Sequence, residues 1–180
     1  MRRVAVPLAA ALALAAAGCG EEGEKPVVHV GGTTITREQL EETVEHFREE
    51  AQREGKEFPE EDTPAFRAAR DRLLGLLVYR AELAEEAKRL GVEVDDEAVE
   101  RRLASGGEGG EEEANDAYAK AAVRAQLLYE GIYRSVTAGV RGRGPAAQER
   151  RNRLAARFVA RMQREWKPKV RYEPGFAPGS

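Results

Sequence analysis

The chain has one cysteine, Cys19, and two histidines, His29 and His46, in 180 residues, and each scarcity removes a class of chemistry. A single cysteine leaves no intramolecular disulfide to form, so stability must come from an apolar core. Neither histidine lies in a metal-ligand spacing or a His-Glu-x-x-His arrangement, and both read as solvated or edge residues. Ser105 and Ser135 have no histidine nearby in sequence to activate them, and neither sits in a nucleophile-elbow motif. Glycine does cluster in Ser105-Gly106-Gly107-Glu108-Gly109-Gly110, but the run follows no predicted strand and carries acid where a phosphate-cradling loop needs lysine. It reads as a flexible linker. The abundant carboxylates are spread along predicted helix surfaces, with no acid/base pair singled out. The inventory predicts no catalytic residue, no metal site, no cofactor and no enzyme.

Long apolar runs are equally scarce. The one apolar stretch, Val4 to Ala17, follows the positive start Met1-Arg2-Arg3 and is too short to span a bilayer. With the small residues Ala16-Ala17-Gly18 behind it, residues 1–18 read as a secretory signal. The sequence Ala16-Ala17-Gly18-Cys19 resembles the lipobox of bacterial lipoproteins, with Ala16 where a larger aliphatic residue is usual. That resemblance implies lipidation of Cys19 and a place on the extracytoplasmic face of the cell membrane. The polar, breaker-rich run Gly20 to Pro26 makes residues 19–26 a lipidated cysteine with a flexible tether. An ordinary secreted protein with an incidental cysteine is the other reading.

The remaining chain reads as one mostly α-helical domain with a small β-sheet, residues 27–172. Val27 to Val30 and Thr33 to Ile35 flank Gly31-Gly32, a favoured hairpin turn. Thr36 and Gln39 form a capping box for a first helix that stops near Gly55. Thr63-Pro64 opens a second helix, ended by Leu90-Gly91, with Phe66, Leu73, Leu74, Leu77, Ala81, Ala84 and Leu90 on its inner face. Asp95 caps a short third helix through Leu103, closing an N-terminal part over 27–104. A linker over 105–113 follows, then a long helix over 114–138 with a stripe of Tyr118, Ala122, Ala125, Tyr129, Ile132 and Val136. A link over 139–145 leads to a return helix and strand over 146–172. Leu154, Phe158, Met162 and Trp166 share one helix face, and residues 173–180 form a Pro/Gly tail. So short a final strand is marginal alone and is predicted to pair with the first hairpin.

Several pieces have a familiar order. VVHVGGTTITREQL (27–40) resembles the opening hairpin and Thr-capped helix of the SurA/PrsA family of extracytoplasmic foldases. LLGLLVYRAELAEEAKRLGVEVDDEAVERRL (73–103) resembles the family's next block, and VRAQLLYEGIYRSVT (123–137) resembles the helix that leads into its isomerase module. Trp166 with KVRY (169–172) resembles the return helix and strand. The resemblance implies a SurA N-terminal-like helical chaperone domain. It also implies a parvulin-type prolyl isomerase insert between lead-in and return helices, yet only Thr137 to Pro145 separates them. The expectation is a chaperone framework without its catalytic insert, binding unfolded or newly exported polypeptides without ATP. An adaptor lipoprotein binding one specific partner is the alternative, and an isomerase by descent a further one.

Charge is divided along the chain. Gly20 to Tyr133 carries 29 acidic and 15 basic residues, a balance of −14; Arg134 to Ser180 carries 3 and 12, a balance of +9. An exported protein seldom meets nucleic acid, so none is expected as a partner. The basic return helix is expected either to dock on the acidic helices or to contact anionic lipid or wall polymer beside the membrane. Tyr79, Tyr118, Tyr129, Tyr133, Phe158, Met162 and Trp166 are the candidate client contacts, because such side chains pair an apolar body with adaptable or polar ends. Helical spacing also suits them to the core, and Trp166 to stapling its helix onto the sheet.

Overall fold

The computed structural model describes residues 25–105 and 117–179. Cys19, most of the tether and the body of the glycine-rich linker lie outside the described residues. β1 (Pro26–Val30) and β2 (Thr33–Thr36) form the hairpin, and Gly31 turns it with φ of +59°, a conformation that disfavours any Cβ. β3 (Val170–Tyr172) pairs antiparallel with the other edge of β1, setting Val28 opposite Tyr172 and Val30 opposite Val170. The sheet order is therefore β2-β1-β3, and residues 140 apart in sequence become neighbours. Gly31 N–H donates to the Lys169 carbonyl at 3.3 Å and Glu173 N–H to the Val27 carbonyl at 2.9 Å, extending the seam at both ends. The ladder is irregular between Pro26 and Val28, and such a kink releases successive side chains from strict alternation. Val27, Val28 and Val30 are all buried.

Local chemistry sets the helix ends. α1 (Arg37–Arg53) starts at Thr36, whose hydroxyl accepts from Gln39 N–H at 3.3 Å while the Gln39 side chain accepts from Thr36 N–H at 3.0 Å. This capping box satisfies two amides that the first turn leaves without partners. α2 (Pro64–Leu90) opens at Thr63, which accepts from Phe66 N–H, with proline at the first position. It closes on Gly91, at φ of +66°, where Val92 N–H bonds back to the Ala87 carbonyl. Asp95 caps α3 (Asp96–Ser105) through Ala98 N–H at 2.7 Å. α4 (Ala117–Thr137) and α5 (Pro145–Trp166) follow, then a single 3-10 turn, Lys167–Lys169, that feeds β3. The connection between α4 and α5 is residues 138–144, and Arg151 of α5 holds it by donating to the carbonyls of Val140 and Gly142.

α2 is the axis of the domain, touching the hairpin, α1, α4 and α5. Its buried stripe is broader than the spacing predicts: Val78, Leu83 and Ala87 join Leu73, Leu74 and Ala81, and so do Glu82 and Glu86. Carboxylates expected on helix surfaces are thus inside. On α4 the buried apolar residues are Leu128 and Ile132, so the inner face is rotated away from Tyr129. On α5, Ala155 is buried and Leu154 is 38% exposed, the reverse of the predicted stripe. The terminal segment is docked as well. The Phe176 ring lies under Arg37 and Arg70, at 5.2 and 5.7 Å, and Gly179 N–H donates to Asp71 at 2.9 Å.

Candidate functional site

Four of the seven predicted contact residues border surface recesses, and three do not. Phe158, Met162 and Trp166 are buried in the central core beside Ile132 and Leu74. Their side chains fix α5 to the rest of the domain. Trp166 is the staple. A Cβ on Gly31 would lie 2.6 Å from its ring, and Lys169 Nζ sits 4.0 Å from the ring centroid.

The four tyrosines fall on two sides of α4. Tyr118 edges a groove of about 490 Å³ walled by β2, α1, α2 and α4. The floor is made of Ile35, Leu77, Ala81, Ala84, Ala125 and Leu128, and Gln39, Glu42, Arg80, Lys120 and Arg124 surround it. Three of those floor residues are alanines, so depth comes from side chains that are small. Tyr118 is held by stacking on His46 with ring centroids 4.0 Å apart, an edge contact to Phe47, and the Arg80 guanidinium 4.5 Å above its ring. Arg80 Nη1 is buried with no hydrogen-bond acceptor among the described residues.

On the other side, Tyr79 and Tyr129 line a small recess of about 190 Å³ with Leu76, Leu83 and Ala125. Tyr129 then joins Tyr133, ring centroids 6.5 Å apart, along a shallower one of about 500 Å³ that reaches Gln148 and Asn152 on α5. Tyr129 is 37% exposed, one of two large apolar side chains that reach solvent to this degree among the described residues. Tyr133 is anchored by Gln148, which donates to its hydroxyl at 3.0 Å.

Beyond the Arg89–Glu86 hydrogen bond itself, opposite charges of the return helix and α2 act on each other, Arg161 helping to lower the Glu86 carboxyl and Glu165 helping to raise Arg89. Arg153 pairs with Glu149 and Arg161 with Glu165, both within α5. The helix seats itself through Ala155, Phe158, Met162 and Trp166, while Arg150, Arg153, Arg157, Arg161 and Arg164, spaced by threes and fours, share its solvent face. Among the described residues no group of side chains is arranged to hold a metal ion, and no helix is long and apolar enough to cross a membrane.

A family model described as the SurA-like N-terminal domain matches residues 4–127. That span exceeds half of the chain, and the chain belongs to this family, whose domain is the non-catalytic, chaperone-like part of its proteins. The match ends inside α4, so α5 and β3, which complete the core and the sheet, lie beyond it. Comparisons with curated proteins and with solved structures returned no match.

Proposed function

We propose that the chain is a membrane-anchored extracytoplasmic chaperone that holds unfolded or newly exported polypeptides without ATP and without an isomerase module of its own. The observation that carries this reading is the alanine-floored groove beside Tyr118. An extended segment needs depth for its backbone and apolar contact for alternate side chains, and a polar rim leaves the sequence it accepts broad. The recesses along Tyr79, Tyr129 and Tyr133 add adaptable aromatic contacts. The short connection over 138–144 supports the absence of an insert between α4 and α5.

Light scattering of a chemically unfolded exported client, diluted into buffer with the chain from Gly20 onward, tests the reading. That stretch retains every described residue. Suppression saturating near one chain per client is expected. Unchanged aggregation at several-fold excess would turn the search towards one folded partner of an adaptor lipoprotein.

The arginine face of α5 favours a second contact, with anionic lipid beside the anchor. Arg157 and Arg164 have no hydrogen bond or ion pair among the described residues, which leaves two guanidiniums for headgroup phosphates. Sedimentation with phosphatidylglycerol vesicles but not phosphatidylcholine vesicles, lost as salt rises, is the expected result.

A further inference from the structure

Two buried glutamates sit one turn apart on α2, and only one is matched. Glu86, 1% exposed, accepts from Arg89 Nε at 2.8 Å and from Arg89 Nη2. Glu82, 7% exposed, has no hydrogen bond or ion pair among the described residues. It borders a cleft of about 510 Å³ between α2, the end of α5, β3 and the terminal segment, lined also by Val78, Tyr79, Gln163, Val170 and Tyr172. Gly75 is an exposed part of its lining. Lys167 stands at the rim, exposed and without an ion pair to Glu82.

A carboxylate largely shielded from water by apolar neighbours, with its oxygens open only to the cleft, is unfavourable as an anion unless it is neutralised or meets a cation. Burial pushes the Glu82 carboxyl up, as expected of a group with no partner. Burial also raises the hydroxyls of Tyr172 and Tyr79, and in both the charge on Glu82 adds to the rise, as expected of three groups that line one cleft. What the cleft offers is one carboxylate, a hydrogen-bond acceptor that can carry negative charge, with two phenol rings and apolar walls. A guanidinium matches that chemistry better than an ammonium: it is flat, weakly hydrated, and able to stack on aromatic faces while donating to a carboxylate.

We propose that the Glu82 cleft receives arginine side chains of bound polypeptides. The inference rests on the client-binding reading and gives it a sequence preference, for segments that place an arginine among apolar residues. In the test, two labelled unstructured peptides of Gly, Ser and Leu carry a single central arginine or, in its place, uncharged citrulline. Their binding to the chain from Gly20 onward is followed by fluorescence anisotropy. The arginine peptide is expected to bind at least about fivefold more tightly, and Glu82→Gln to bring it to the level of its citrulline counterpart, with circular dichroism reporting a folded variant. Equal binding of the two peptides to the unaltered chain overturns the proposal, whatever the variant does. So does an arginine preference that survives Glu82→Gln, or no binding of either peptide by a chain that suppresses client aggregation. Failure to suppress aggregation at all would count against the client reading itself.

Discussion

Phe158, Met162 and Trp166 on α5 and Tyr79, Tyr129 and Tyr133 on α2 and α4 are large side chains at helical spacing, and they meet different fates. The first set is enclosed because α5 returns across α2 and under the hairpin turn, leaving Met162 with no exposed surface. The second lies nearer the surface of α2 and α4, and each ring borders a recess. Periodicity alone places a residue on a helix face, whereas burial depends on what lies over that face. One set sustains the fold and the other remains at the surface.

The comparison can be broken most forcefully at its buried side. Phe158→Ala should cost about 3–5 kcal/mol and Met162→Ala about 2–5 kcal/mol in urea unfolding, as a cavity opens in the core. A cost below about 1 kcal/mol would mean α5 is not seated as described. Gly31→Ala should cost about 1–3 kcal/mol, because the new methyl group meets Trp166 and the turn requires positive φ. In a double-mutant cycle Trp166→Leu should recover part of that loss.

The two α2 glutamates sharpen the contrast through pH. Arg89, chiefly by its hydrogen bond, holds the Glu86 carboxyl below its ordinary range, so the stability it contributes is present above the unfolded value and is lost as pH falls through the folded one. Burial raises Glu82, so the sign is opposite: its contribution is complete at acid pH and is lost as pH rises through the folded value. Glu86→Gln should therefore cost about 1–3 kcal/mol at neutral pH and less under acid. Glu82→Gln should raise the melting temperature at pH 7 by a few degrees, about 2–4 °C for each kcal/mol, and the gain should vanish towards pH 4. Thermal melts at the two pH values would separate the pair.

The smallest stability effect belongs to the open side. Tyr129→Ser should change stability by no more than about 0.5 kcal/mol. It should nevertheless weaken suppression of client aggregation, and unchanged suppression would remove Tyr129 from the contact surface.

Much of the architecture was legible locally. The Thr36–Gln39 box, the Thr63-Pro64 start, Gly91 and the hairpin glycines all appear where the sequence implies, and so does the return strand beside β1. Other features were out of reach. Glu82 and Glu86 read as surface charge because nothing within a few residues reports that α5 and β3 close over α2. Tyr129 and Leu128 are adjacent in sequence, and only the packing of α4 on α2 turns one outward and the other in. Gly131 carried a signal, an isolated glycine inside a helical pattern: a Cβ there would lie 2.5 Å from Val92.

The sequence by itself determined where helices start and stop, because caps and turns are satisfied by groups three to six residues away, whatever the remainder of the chain does. It determined the division of charge and the scarcity of nucleophiles and metal ligands for the same reason, since these are properties of residues and not of their arrangement. Which aromatics are core, which edge a groove, and which buried carboxylate lacks a partner were decided only by tertiary structure. Burial is set by surfaces from distant segments meeting, and β1 gains its second neighbour from the far end of the chain.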